Sequence, residues 1–178
     1  MTQKERLLQE FAQWSGYVRR MSELGEDFWD LPLGEGKWTV REMTAHMLEW
    51  DCYFYEHAVQ KAARERTVTL AKPDFDAFNA KAAVCGKMLP VYELAARTIS
   101  AREAIIGTIR AMPDDVYLDV HPQIGGGEFR LEQYLRDFLR HDRHHTAQLD
   151  AVKSRVAREA EVSAVGWTWS GSRRKRHA

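Results

Sequence analysis

Imidazole is the commonest metal ligand and the side chain that titrates nearest neutral pH, so the seven histidines of the chain are its first candidates for chemistry. Three of them, His141, His144 and His145, lie almost side by side. On a helix at about 100° per residue, with His141 at zero, Tyr134 falls near 20°, His145 near 40°, Phe138 near 60° and Gln148 near 340°. His144 falls near 300° and reads as solvent-facing. Two imidazoles at i and i+4 stand one turn apart, so a nitrogen from each can reach one divalent ion at about 2.0–2.1 Å. A third ligand has to come from another element. His46 qualifies: on its own wheel it lies beside Trp50 and near Met43, at the edge of an apolar stripe that Met47 and Phe54 continue. His57 shares that angle but sits about 16 Å further along the axis, out of reach of the same ion. His121, in a loop, and His177, in the tail, have no comparable argument.

A single inward histidine is more often a hydrogen-bonded core residue than a ligand. An i, i+4 pair joined by a third inward histidine on another helix favours a metal site. Three histidines with no carboxylate leave the fourth position to water or substrate, which is the arrangement of a catalytic rather than a structural zinc. Gln148, close to His145 on the same face, is a candidate to hydrogen-bond a histidine or the bound nucleophile; closing the edge of the core is an equal alternative. Asp142 and Glu49 read as solvated charges. Trp50 and Tyr53 are placed in the core rather than at a pocket mouth.

These residues need helices to position them, and the pattern supplies four. Thr2 and Glu5 have capping-box spacing, and Leu7, Leu8, Phe11, Trp14, Val18 and Met21 follow at helical intervals, so a first helix is expected to end near Gly25. Thr39 with Glu42 is a second capping box, opening a helix that runs to about residue 63. Residues 64–76 are polar and interrupted by Pro73, with at most a short helical connection around Phe75 and Phe78. A third helix spans about 90–112, where Pro113 stops it. Residues 117–129 read as a loop with the makings of a short hairpin, against which Pro122 argues. The fourth helix runs from Leu131 to about Glu159. Four amphipathic helices in one chain predict an all-α four-helix bundle over residues 1–160. Residues 161–178 form a tail: Trp167 and Trp169 are expected to pack on the bundle or a second subunit, ahead of a flexible basic end.

Composition narrows the function. The 178 residues are one domain's worth, and 44% apolar with 29% charged content is that of a folded soluble protein. Lysine plus arginine total 26 and so do aspartate plus glutamate, so no net charge draws the chain to nucleic acid or an anionic membrane. Cys52 and Cys85 form no metal-binding pair by spacing, which suits a reducing cytoplasm. The charged first ten residues do not read as a signal peptide, and no long apolar run reads as a membrane span.

The segment from Trp38 to His46 (Trp-Thr-Val-Arg-Glu-Met-Thr-Ala-His), the Leu-Glu-Trp-Asp that follows shortly after, and His141-x-x-x-His145-x-x-Gln148 together resemble the DinB/YfiT-like superfamily. The resemblance covers residues 4 to about 153. It implies a bundle of up-down-down-up connectivity, often homodimeric, with His46, His141 and His145 holding a divalent metal: zinc or nickel first, iron or manganese in other members. It also implies a small-molecule substrate. Characterised members include thiol S-transferases using bacillithiol or mycothiol, a thiol-dependent isomerase and metal-dependent hydrolases. No motif selects among these reactions. The alternative is a non-catalytic metal- or ligand-binding bundle with a structural ion.

Overall fold

The computed structural model describes residues 1–71 and 73–170, with side chains as far as residue 163. Helices α1 (Gln3–Phe11) and α2 (Gln13–Met21) form the first bundle helix, capped by the Thr2 hydroxyl, which accepts from the Glu5 amide. A tight turn through Gly25 leads to the short α3 (Glu26–Trp29). Thr39 then starts α4 (Val40–Phe54) with a complete capping box: the Glu42 amide donates to Thr39 Oγ1, and the Thr39 amide donates to Glu42 Oε2 at 2.7 Å. Such a cap contributes roughly 1 kcal/mol. The helix passes through one wide turn at Tyr55–Val59 and continues as α5 (Gln60–Glu65), ending at a left-handed Arg66. After α6 (Phe75–Met88) come α7 (Val91–Ala111), α8 (Asp114–Tyr117), the two-residue strands β1 (His121–Pro122) and β2 (Glu128–Phe129), and α9 (Leu131–Ser170).

Contacts between side chains give the helix directions. Gln3 meets Glu132, Glu10 meets Arg143 and Tyr17 meets Asp150, so the first helix and α9 run parallel. Lys4 meets the Met112 carbonyl and Arg19 meets Glu103, so α7 runs antiparallel to the first. Asp51 meets Arg102 and Tyr55 meets Thr108, so α4 and α7 are parallel. This is the expected up-down-down-up order.

Parallel neighbours need a connection that returns the length of the bundle. Helix α6 is that connection. It is a full helix of 14 residues where the sequence suggested a short helical stretch, because Asp74 caps it and its buried face is made of Ala82, Ala83 and Gly86 rather than large apolar residues. Small side chains leave a weak hydrophobic period, which hides the helix from pattern reading. They also let it approach α4 closely: a Cβ on Gly86 would lie 2.7 Å from the Ala45 Cβ and 3.2 Å from the Arg41 carbonyl oxygen.

The 117–129 loop does close a hairpin, with Pro122 in the first strand. Pro122 lacks an amide hydrogen, but its carbonyl accepts from the Val68 amide at 3.0 Å, so the short strand is anchored to a neighbouring segment. Helix α9 runs to Ser170 rather than stopping near Glu159, since no proline interrupts it. The side chains of Trp167 and Trp169, and the basic end with His177, lie outside the described residues.

The apolar interior is in two halves. One gathers Leu8, Phe11, Ile105, Ile109, Leu131 and Leu135; the other Val18, Met21, Met43, Leu94, Leu149 and Val152. Between them, at the waist, stand the buried polar residues His46, Asp51, Arg102, Asp142 and His145. Replacing Gly86 with valine should cost about 1–3 kcal/mol in urea unfolding, as overpacking of a tight contact does; a loss below about 0.5 kcal/mol, the usual range for a surface change, would mean that the two helices are not held this closely.

Candidate metal centre

His46 is placed by α4 and His141 and His145 by α9, all at the waist. One nitrogen of each lies within 4.8 Å of the others. The His141 Nε2 is 3.2 Å from that of His46 and 3.1 Å from that of His145. Two ligands of a tetrahedral ion with bonds of about 2.0–2.1 Å stand about 3.3 Å apart, so the spacing suits a shared cation.

The tautomers can be read from the partners. The Trp50 indole N–H can only donate, and it points at Asn79 Oδ1 at 3.1 Å. That oxygen must therefore be the acceptor, and the His46 Nδ1–H donates to it at 3.0 Å. The lone pair of His46 is left on Nε2, facing the other imidazoles. His145 Nδ1 lies 2.9 Å from Gln148 Oε1 and donates to it, which turns its Nε2 lone pair the same way. The His141 Nδ1 is buried without a partner among the described residues. Three crowded nitrogens, two of them with inward lone pairs, suit one divalent cation better than one shared proton.

All three rings are neutral near pH 7. Burial, then the neighbouring His145, pushes His46 down to about 4. Burial, then the positive charge of the other histidines, pushes His141 down to about 3. Burial also lowers His145, while its bond to Gln148 opposes the shift. Neutral imidazole is the ligating form.

One further side chain at the waist overturns a sequence expectation. Asp142 is not a solvated charge: it is 7% exposed and grips the fully buried Arg102. Asp51 grips Arg102 from the other side, and burial raises its pKa to about 6 against the pull of the guanidinium. Glu49 is half-buried and His144 exposed, as its wheel position implied. Trp50 is buried as expected, yet its N–H serves the site through Asn79. His57 is apart from the cluster, beside the Thr69 hydroxyl, and His121 is buried with its Nε2–H donating to the Val116 carbonyl. Asn79 and Arg102 carried no signal in the sequence, and Asp51 stood there only as the end of the Leu-Glu-Trp-Asp segment, with no role assigned. Asn79 sits on the unexpected helix α6, and the others reveal themselves only through their burial.

Beside the imidazoles is a cavity of about 590 Å³. His145, Gln148 and Ala151 form one wall, and the loop 33–38, including Gly34, Lys37 and Trp38, forms the other. That loop is held by hydrogen bonds from the Leu33 amide to the Trp38 carbonyl and from the Val40 amide to the Leu31 carbonyl. The Trp38 ring lies 5.1 Å from that of His46, tilted by 47°. The histidine cage thus opens on a pocket of small-molecule size.

A sequence profile for the DinB superfamily matches residues 12–149. The chain belongs to the DinB superfamily. Its fold is similar to that of YfiT from Bacillus subtilis, described as a probable metal-dependent hydrolase with an unusual four-helix bundle topology: TM-score 0.69, 18% identity, 88% of this chain and 90% of that one covered. It is also similar to the mycothiol-dependent maleylpyruvate isomerase, with a TM-score of 0.64 and 15% identity over 83% of this chain. This DinB chain spans 61% of the isomerase's length. No curated protein matches it.

Substituting His141 with alanine should abolish binding of zinc or nickel measured by titration, and His144→Ala should leave it unchanged; equal loss from both would refute the assignment of faces. Asn79→Leu should weaken binding about 10–100-fold, the usual effect of removing a ligand's hydrogen-bond partner.

The depressed histidine pKa values also set an acid limit. Unfolded histidine titrates near 6.5, so below that pH the unfolded chain binds protons that folded His46 and His141 refuse until about 4 and 3. The stability contributed by the neutral rings is complete above about 6.5 and is lost as pH falls toward those values. In chelator, the melting temperature should fall between pH 7 and pH 4.5, and fall less in a His46→Leu/His141→Leu variant. Parallel curves would contradict the buried, neutral state.

Proposed function

We propose that the protein is a divalent-metal enzyme acting on a small molecule, either a hydrolase or a thiol S-transferase, with His46, His141 and His145 as the metal ligands. The observation that carries this reading is the convergence of three neutral imidazole nitrogens, two with tautomers set by Asn79 and Gln148, at the wall of an open cavity. Zinc or nickel suits an all-imidazole set, with iron or manganese as the alternatives.

A bound ion supplies Lewis acidity, which activates a water or a thiol for attack near neutral pH. The chain's own residues do the rest. Asn79 and Gln148 keep the protons of His46 and His145 on Nδ1, so that both rings present lone pairs. Trp38 and the loop 33–38 wall the cavity against bulk water, and Lys37 offers a positive group to an anionic part of a substrate. A low-molecular-weight thiol carrying carboxylates fits such a wall.

The same reading takes the protein as a cytoplasmic homodimer. Among the described residues no helix is long and apolar enough to cross a membrane. For the dimer, support comes from α9: its 40 residues make about 60 Å of helix, against about 32 Å for α7, and the overhang exposes Val156 and Val162.

The test is elemental analysis of protein purified without chelator, followed by thiol-transfer and hydrolysis assays on the loaded form. One ion per chain and activity that chelation removes while the circular dichroism spectrum persists are expected. A ratio near zero with no uptake of added zinc or nickel would sink the metal. If chelation collapsed the fold, the ion would be structural instead.

A further inference from the structure

The buried waist holds a second polar group besides the histidines. The Arg102 side chain is fully buried, and each of its five N–H groups has an acceptor. Nε donates to Asp51 Oδ2 at 2.8 Å, and Nη2 to Asp51 Oδ1 at 3.0 Å. Nη1 donates to Asp142 Oδ2 at 2.6 Å and to the Phe11 carbonyl at 3.3 Å, and Nη2 donates to Asp142 Oδ1 at 3.1 Å. The guanidinium also lies 3.7 Å above the Phe11 ring. From α7, this one side chain reaches the first bundle helix, α4 and α9.

Where it grips them bears on the site. Asp51 lies five residues after His46 on α4, and Asp142 follows His141 directly on α9. Both carboxylates are therefore on the two helices that carry the imidazoles, within about two turns of them. A bidentate fork on each side fixes both the separation of the helices and the rotation of each about its axis. The imidazoles meet only if that rotation is right, since a metal site has to be held within about 0.5 Å and 10–20° of its productive geometry. Holding the bundle together would not need this group: apolar residues at such a triad often serve stability as well or better.

We propose that Arg102 is the positioning residue of the histidine centre, locking α4 against α9 through Asp51 and Asp142 so that His46 meets His141 and His145. The proposal rests on the three-histidine reading above and adds a dependence that reading lacks. A lysine retains the charge but has three donors, no fork and no planar face, so it can neither make all five bonds nor grip either carboxylate through two parallel N–H groups.

Two variants separate positioning from mere stability. Arg102→Lys keeps the charge. The triple variant Arg102→Met/Asp51→Leu/Asp142→Leu removes the buried charges and keeps an apolar waist, so it folds even where Arg102→Lys does not. Ile109→Ala, two turns along α7 in the core, is the control for lost stability. Each is titrated with cobalt at a temperature where it is folded, reading affinity and the visible d–d band. Arg102→Lys and the triple variant should bind at least about tenfold more weakly than the wild type and show an altered band. Ile109→Ala should bind within about twofold. If the Arg102 variants bind like the wild type, or Ile109→Ala weakens binding as much as they do, the proposal is overturned.

A second readout needs no metal. In NMR of the apoprotein, nuclear Overhauser contacts between the His46 ring and the rings of His141 and His145 should be present in the wild type and lost in the triple variant. Unchanged contacts there would overturn the positioning role. Wild-type protein that takes up no metal would overturn the three-histidine reading, and the NMR comparison would then decide the positioning role alone.

Discussion

Burying a guanidinium is expensive unless it has a counter-charge and all its N–H groups are met, and Arg102 meets both conditions by drawing on every long helix of the bundle. Burial alone would weaken its hold on the proton, but Asp51 and Asp142 outweigh that and keep it charged. The arrangement works only when four helices stand at one height and in one rotation. It also divides the core. Apolar side chains fill the two ends, where packing tolerates exchange of one shape for another, and the waist is left to groups with directional demands.

The histidine cage shares that waist and follows the same logic. Its rings lose their affinity for protons because they are buried, and two of them lose tautomeric freedom because Asn79 and Gln148 accept from Nδ1. Burial, neutrality and orientation therefore have one origin, the exclusion of water from the middle of the bundle. The site meets solvent on one side, where the glycine-bearing loop 33–38 leaves room between Trp38 and the outer face of α9. Imidazoles held on helices and an opening under a hydrogen-bonded loop make a place that is preorganised inside and adaptable outside.

The parallel pairing of α4 with α7 has a consequence for function as well as topology. The chain must travel back along the bundle between them, and the helix that does so, α6, delivers Asn79 to His46. In an all-antiparallel bundle with short loops there would be no residue at that place. The near-contact of Gly86 with Ala45 draws α6 close enough for the amide to reach the ring.

Much of this is local and therefore written along the chain. Capping residues Thr2 and Thr39, the apolar period of four long helices, and the shared face of His141, His145 and Gln148 follow from rules spanning a few residues, and the structure agrees with them. The pairing of His46 with the α9 histidines was suggested by its face alone and made definite by proximity. Other features depend on which elements meet, and spacing carries no trace of them. Helix α6 buries alanine and glycine, so its period is faint. Asp142 looks like any surface acid on a helix wheel, and Arg102 like any exposed base, until each is seen as the other's partner. A charge in the core is recognisable only by its counter-charge, and here that lies on a different helix, brought within hydrogen-bonding distance by the packing of the whole bundle.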